Sequence, residues 1–472
     1  MHLFFLSTLG LAFLATASFA LPKASALVTP MGMGYNIGNT MEVPGDLTAW
    51  GNTLPTAEFI KAIKDAGFNT VRIPCAWDSH ASNGTINSGW LDTVKTVVDL
   101  AINNGMYVIL NSHWDNGWLE DHVWDGDGYD RNGNAATNTA STIATQQEKY
   151  WSQIATKFAS YDEHLIFASA NEPGVNDPWN GGTDNGQWAF DATRMKVLRQ
   201  YHEACLKAVR ATGGNNATRT VIVQMPRTEI DKYELLAADY PTDPAGDGYT
   251  MAEAHYYPYQ YSLMTADESW GACFYYFDGM GSTTDTKHNM GSEAATLGTK
   301  LYNAAQFDKL KTAFVDKNIP VVIGEMGAIK RLESISGENL KLHLQGRAAW
   351  YGNIAETAKA RGIIPVVWDT GDEGNGNMTI IRRQTNKYAG NVGDIVDYEV
   401  LNALRKAYGL DTLPGNSIDD KVAASVDTSD KKVVVTYTSA RTDSSETGTI
   451  RLNIGGKDWS AYTGISFMQK SM

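Results

Sequence analysis

Two glutamates stand out in the 472-residue chain because each closes a short apolar run: Glu172 in FASANEP and Glu325 in VVIGEMG. Hydrolysis of an acetal such as a glycosidic bond needs two carboxyls. One, protonated, releases the departing oxygen; the other, ionised, attacks the carbon or activates water. A separation of about 5–5.5 Å goes with retention of configuration and about 6.5–9.5 Å with inversion. Other polar and aromatic residues lie in or just after similar runs: Arg72 (VRIP), His113 (ILNSHW), Asn171, His255 and Tyr257 (AEAHYYP) and Trp368 (VVWDTG). Glu42, Glu120 and Glu253 are rival carboxyls, and Glu253, lying mid-run, reads as an interior residue or a partner behind the site. His113 with Asp115, Asp121 and His122 raises the question of a metal, but their spacing matches no familiar ligand motif. No metal and no cofactor is expected.

Those residues need elements to present them. Apolar runs at Met33–Gly38, Thr70–Cys75, Met106–Asn111, Leu165–Ala170, Thr220–Met225, Met251–Tyr256, Pro320–Gly324 and Ile363–Trp368 have the length and hydrophobicity of strands buried on both faces. Helical patterns lie between most of them, as at Thr56–Ala66, Trp90–Asn104, Gln146–Ala159, Ala192–Ala211 and Ala304–Lys317, with Gly67 and Gly105 placed as C-terminal caps. Alternating strands and helices predict an α/β fold with a parallel sheet. A (β/α)8 TIM barrel is favoured over an open sheet. No GxGxxG follows the first run, and polar residues collect at the ends of many strands rather than at one switch point. Long loops at 115–142 and 259–299 follow strand ends, where barrels build their sites.

In this order and at these strand ends, Arg72, His113, Asn171–Glu172–Pro173, His255 with Tyr257, Glu325 and Trp368 make the chain resemble glycoside hydrolase family 5. The stretch GYNIGNTMEVPGDLTAWGNT (Gly34–Thr53) is similar to its cellulase-like branches, with Tyr35 where Trp is usual; Trp114 stands where a second His often follows the first. The resemblance implies a retaining endo-β-1,4-glucanase acting on cellulose or a related β-glucan by double displacement, with Glu172 as general acid/base and Glu325 as nucleophile. Arg72 and Tyr257 would hold Glu325 ionised. Asn171 would bind the sugar 2-hydroxyl, His113 and His255 would hydrogen-bond hydroxyls or orient the carboxyls, and Trp368 would lie under the sugar. Trp50, Trp77, Trp114 and Trp118 are candidates for further subsites. The same chemistry on xyloglucan, mixed-linkage glucan, mannan or xylan is the first alternative. A non-catalytic carbohydrate-binding wall protein on a barrel scaffold is the second.

The remaining features set limits. A formal charge of −14 argues against nucleic acid or an anionic membrane as partner and is compatible with a neutral polysaccharide bound by a monomer. Residues 1–20 read as a secretory signal peptide, with Ser18 and Ala20 at the −3 and −1 positions, so a secreted, extracellular protein is expected; Ala24 and Ala26 offer later cleavage points. Cys75, Cys205 and Cys273 allow at most one disulfide, and Asn83, Asn216 and Asn377 open glycosylation sequons. The catalytic domain is expected over 27–410. Residues 411–472 read as a β-rich segment of unassigned function, with strand-like stretches at Lys432–Thr438 and Thr449–Ile454.

Overall fold

The apolar runs become eight strands: β1 (Gly34–Asn36), β2 (Thr70–Ile73), β3 (Tyr107–Asn111), β4 (Leu165–Ala168), β5 (Val221–Glu229), β6 (Thr250–Tyr256), β7 (Val321–Met326) and β8 (Ile363–Val367). They form a closed barrel in which each strand pairs in parallel with its neighbour, and Gly34 of β1 sits opposite both Thr70 and Val366 to complete the ring. The computed structural model describes residues 20–123, 139–174, 190–264, 271–292, 296–384 and 390–414, with the short strand pairs 426–427 and 434–435.

One helix that packs on the barrel follows each strand: α2 (Ala57–Asp65), α3 (Ser88–Ile102), α4 (Ala140–Lys157), α5 (Ala192–Ala211), α6 (Tyr233–Ala238), α7 (Lys300–Ala313), α8 (Gly337–Lys359) and α9 (Tyr398–Ala407). Local sequence explains their ends. The Thr56 hydroxyl accepts the Phe59 N–H at the start of α2, and Asn87 and Asp191 do the same work for α3 and α5. Gly67 and Gly105 follow α2 and α3 at φ 101° and 65°, where a side chain would be strained.

Side-chain alternation divides the interior in two. Val71, Val108, Leu110, Leu165, Phe167, Val221, Val321 and Ile323 join the cluster shared with the helices. Their neighbours Ile109, Ile166, Ile222, Met251, Val322, Ile364 and Val366 form a separate apolar cluster inside the barrel. That inner cluster is completed by α1 (Ala24–Met31), which contributes Ala24, Leu27 and Met31. The Ala24 N–H donates to the Gly248 carbonyl, the Leu21 N–H to the Thr218 hydroxyl, and the Lys23 ammonium lies 3.7 Å from the Tyr249 ring centre. The sequence reading had no helix here; α1 lies across the later cleavage points at Ala24 and Ala26.

Cys75, Cys205 and Cys273 are all buried free thiols. Asn83 is exposed in the turn between the two-residue strands Ala81–Ser82 and Thr85–Ile86, whereas Asn216 is fully buried. Among the described residues no helix is long and apolar enough to cross a membrane. Residues 423–472 form a unit of their own, in which Val426–Asp427 pairs antiparallel with Val434–Val435. The second pair falls within the stretch Lys432–Thr438; Thr449–Ile454 and residues 1–19 lie outside the described residues.

Candidate active site

Two residues beyond the inner apolar cluster, the same strands turn polar. Met251 is followed on its face of β6 by Glu253 and His255, Ile222 on β5 by Gln224, and Ile109 on β3 by Asn111. Arg72 on β2, with no exposed surface, is the hub. One guanidinium nitrogen donates to Glu325 Oε1 at 2.8 Å and to Asn36 Oδ1 at 2.9 Å, and the other terminal nitrogen donates to Asn171 Oδ1 at 2.7 Å. Its Nε faces Glu253 Oε1 at 3.4 Å. The Tyr257 hydroxyl donates to Glu325 Oε2 at 3.1 Å.

His255 joins the carboxyls. Its Nδ1 is 2.7 Å from Glu172 Oε1 and 3.6 Å from Glu325 Oε2, and its Nε2 is 3.4 Å from Glu253 Oε1. Burial disfavours the charged ring, but Glu325, Glu172 and Glu253 together outweigh it and raise the pKa to about 10, so His255 is an imidazolium at neutral pH. Glu325 is pushed above the usual carboxylate range by burial and by Glu172, against the pull of His255, Arg72 and Tyr257. The expectation that Arg72 and Tyr257 keep it low therefore holds for the sign of their effect but not for the net shift. Burial, with the charges of Arg72 and His255, holds His113 well below its ordinary value and neutral.

One oxygen of Glu172, one nitrogen of His255 and one oxygen of Glu325 all lie within 4.8 Å of one another. That spacing would also suit a metal. A protonated imidazole, however, has no free lone pair, and Arg72 and His255 already supply positive charge. In the other grouping considered, Asp115 accepts the backbone N–H groups of Trp77, Asp78 and Ser79 and so staples a loop.

Glu172, Glu325, Arg72, His113, Asn171, His255, Tyr257 and Trp368 all lie at this end of the barrel. Trp368 follows β8, its ring parallel to that of His113 within 6°, with centres 6.2 Å apart. Gly38 is required beneath it, since a Cβ there would lie 2.7 Å from the indole. The further tryptophans separate. Trp77 has no exposed surface and donates its indole N–H to the Asn111 carbonyl at 2.9 Å, which removes it as a subsite; Trp118 is 8% exposed, and Trp50 is 48% exposed. Glu42 accepts the N–H groups of Asn39 and Thr40 and is a loop staple.

Glu253, read from its mid-run position as an interior residue or a partner behind the site, is fully buried there. Its Oε2 accepts from Gln224 at 2.6 Å, and Gln224 Oε1 in turn accepts the Ala170 N–H at 2.9 Å, behind Asn171 and Glu172. Despite full burial, Arg72 and His255 hold Glu253 below the usual carboxylate range. The glycine of the GEM motif answers to it: a Cβ on Gly324 would sit 1.7 Å from Glu253 Oε1.

A barrel that presents two carboxyls from the ends of β4 and β7, bridged by an imidazolium, defines the class: a glycoside hydrolase. Comparison with known proteins carries this to the family. The profile of the cellulase family (glycosyl hydrolase family 5) matches residues 34–374, and the chain belongs to that family. It is 33% identical over 358 residues to a xyloglucan-specific endo-β-1,4-glucanase of Bacteroides ovatus, covering 72% of this chain and 64% of that protein. With endoglucanase A of Paenibacillus barcinonensis it shares 32% identity over 426 residues, 81% of this chain and 94% of the other. Among solved structures, a xyloglucan-specific β-1,4-glucanase from a ruminal metagenomic library, in complex with XXLG, superposes with a TM-score of 0.70 at 35% identity, covering 84% of this chain and 99% of the other.

Proposed function

We propose that this chain is a retaining endo-β-1,4-glucanase with xyloglucan as its preferred polymer and unbranched β-glucans as secondary substrates. The observation that carries the chemistry is the approach of Glu172 and Glu325, whose nearest carboxyl oxygens lie within 4.8 Å. Such a gap suits a direct attack by one carboxylate and leaves no room for a water between the pair. The choice of polymer is supported by two relatives named for xyloglucan, at 33% and 35% identity.

In this reading the ionised Glu325 forms a bond to the anomeric carbon while the glycosidic C–O bond breaks and Glu172 gives its proton to the leaving oxygen. Water then attacks the same carbon, Glu172 takes the water's proton, and the bond to Glu325 breaks. Arg72 and Tyr257 hold the two oxygens of Glu325 apart and aimed. Asn171, held by Arg72, is placed for the 2-hydroxyl, and Trp368 for the sugar face.

The test is reducing-sugar release and viscosity loss with xyloglucan, mixed-linkage β-glucan, carboxymethylcellulose and mannan, with Glu325→Ala as control. Xyloglucan cleaved fastest, with the β-anomer formed first and viscosity falling ahead of reducing ends, is the expected result. A tenfold preference for carboxymethylcellulose would replace it with the second reading, a cellulase, which the family's description favours. No release from any polymer by folded protein would sink both and leave a carbohydrate-binding role.

A further inference from the structure

We propose that Glu120 is a positioning residue for Glu172: it clasps the main chain that carries the acid/base and so aims its carboxyl at the departing oxygen. This rests on the reading of Glu172 as acid/base. Glu120 opens a short 3-10 turn (Glu120–His122) in the loop after β3 and is 1% exposed. Its Oε1 accepts the backbone N–H of Glu172 at 2.5 Å, and its own carbonyl accepts the N–H of Gly174 at 2.9 Å. Between them lies Pro173, which has no N–H to offer, so the clasp takes every amide hydrogen of Glu172–Gly174.

The second oxygen, Oε2, is buried and has no hydrogen-bond partner among the described residues. A backbone cap has no need of it, so an amide would serve as well. Among the described residues, the groups around the pair are Asp121 on the same turn, His255 from β6, and the Arg227–Glu229 ion pair at the end of β5, where the Arg227 N–H donates to the Pro173 carbonyl at 2.8 Å. Glu325 and Tyr257 face Glu172 from the other side. Burial first, and the charge of Glu172 second, raise Glu120 to about 8. Below that pH it is a neutral acid; above it, a carboxylate beside Glu172. In the acid and neutral range Glu120 therefore serves the Glu172 amide as an uncharged acceptor, a role an amide oxygen can also fill.

Glu120→Gln keeps the volume and the acceptor but cannot ionise. Its kcat/KM should fall by no more than a few-fold, because the oxygen that holds the Glu172 amide is kept. Glu120→Ala, which also frees the Glu172 amide, should lose about tenfold or more at every pH, with Gln restoring most of it. The loss is measured as kcat/KM on an aryl cellobioside with a poor leaving group and again on the 2,4-dinitrophenyl cellobioside, whose departure needs no proton. The loss in Glu120→Ala should be large with the first and small with the second. An equal loss on both substrates, or wild-type rates on both, in folded Glu120→Ala overturns the proposal. Failure of the underlying reading looks different: Glu172→Ala would then slow both aryl glycosides alike, instead of sparing the dinitrophenyl one.

Discussion

At one end of the barrel Ile109, Ile166, Ile222, Met251 and Val322 close on Leu27 and Met31 of α1 in an apolar cluster, with Tyr107 as its member that carries a hydroxyl. Two residues further along β3, β5 and β6 stand Asn111, Gln224 and Glu253, and above them His113, Glu172, His255 and Glu325. The strands are the same and the backbone hydrogen bonds continue; the side chains alone change. At the apolar end each group removed from water stabilises the fold, by about 25 cal/mol per Å². At the polar end Arg72, Glu253, His255 and Glu325 are all buried, and desolvation costs several kcal/mol per charge unless each is matched. The network matches them by alternating sign. Stability therefore belongs mainly to the plugged end and reactivity to the open one, which predicts that mutations at the two ends fail in different ways.

The sharpest contrast is expected from Glu325→Gln. Its amide oxygen can still accept from Arg72, so the melting temperature should stay near wild type while kcat/KM falls by on the order of 10⁴-fold. Retained activity would remove Glu325 from the mechanism. Gly324→Ala is the variant that should break the separation. Its Cβ must displace the Glu253 carboxylate from Arg72, His255 and Gln224, so thermal unfolding and turnover should both suffer, by about 3–5 kcal/mol in stability. At the other end Leu27→Ala should cost about 2–5 kcal/mol in denaturant unfolding and leave kcat/KM at 25 °C untouched. A matching loss of activity there would show the two ends to be coupled. The smallest effect is that of Tyr257→Phe: about a tenfold fall in kcat/KM and an acid limb moved to higher pH. The sign follows from the bond removed. The phenol lowers the pKa of Glu325, so without it Glu325 takes up its proton, and activity is lost, at a higher pH.

The open end was the more legible of the two in sequence, because reactive residue types stood out against the apolar runs that carry them. Arg72, Asn171, Glu172, His255 and Glu325 could each be assigned to a strand end, and a parallel barrel then brings strand ends together whatever the loops do. The gap between Glu172 and Glu325 could not be read, since it depends on how two strands on different sides of the ring lean inward. Nor could Glu120, whose approach to the Glu172 amide is made by an irregular turn with no periodicity to follow. Trp77 was misjudged because an indole beside a site and an indole beneath it look alike in sequence; the bond to the Asn111 carbonyl decides it. The plugged end hid for the opposite reason. ASALVTPM sits directly after an apolar leader-like run, and its three inward residues blend into that background.

The place of α1 also bears on maturation. On the reading of Met1–Ala20 as a leader, a cut after Ala20 exposes Leu21, whose amide is bonded to Thr218, with α1 starting three residues later. A peptidase needs several residues of extended chain on both sides of the bond it cuts, and the docked N-terminus leaves none on the barrel side. A cut after Ala24 or Ala26 would remove Ala24 from the plug and the anchor at Gly248 with it. On that reading the helix ties the completeness of the barrel's base to the position of the cut: only a cut before Ala24 leaves the plug whole.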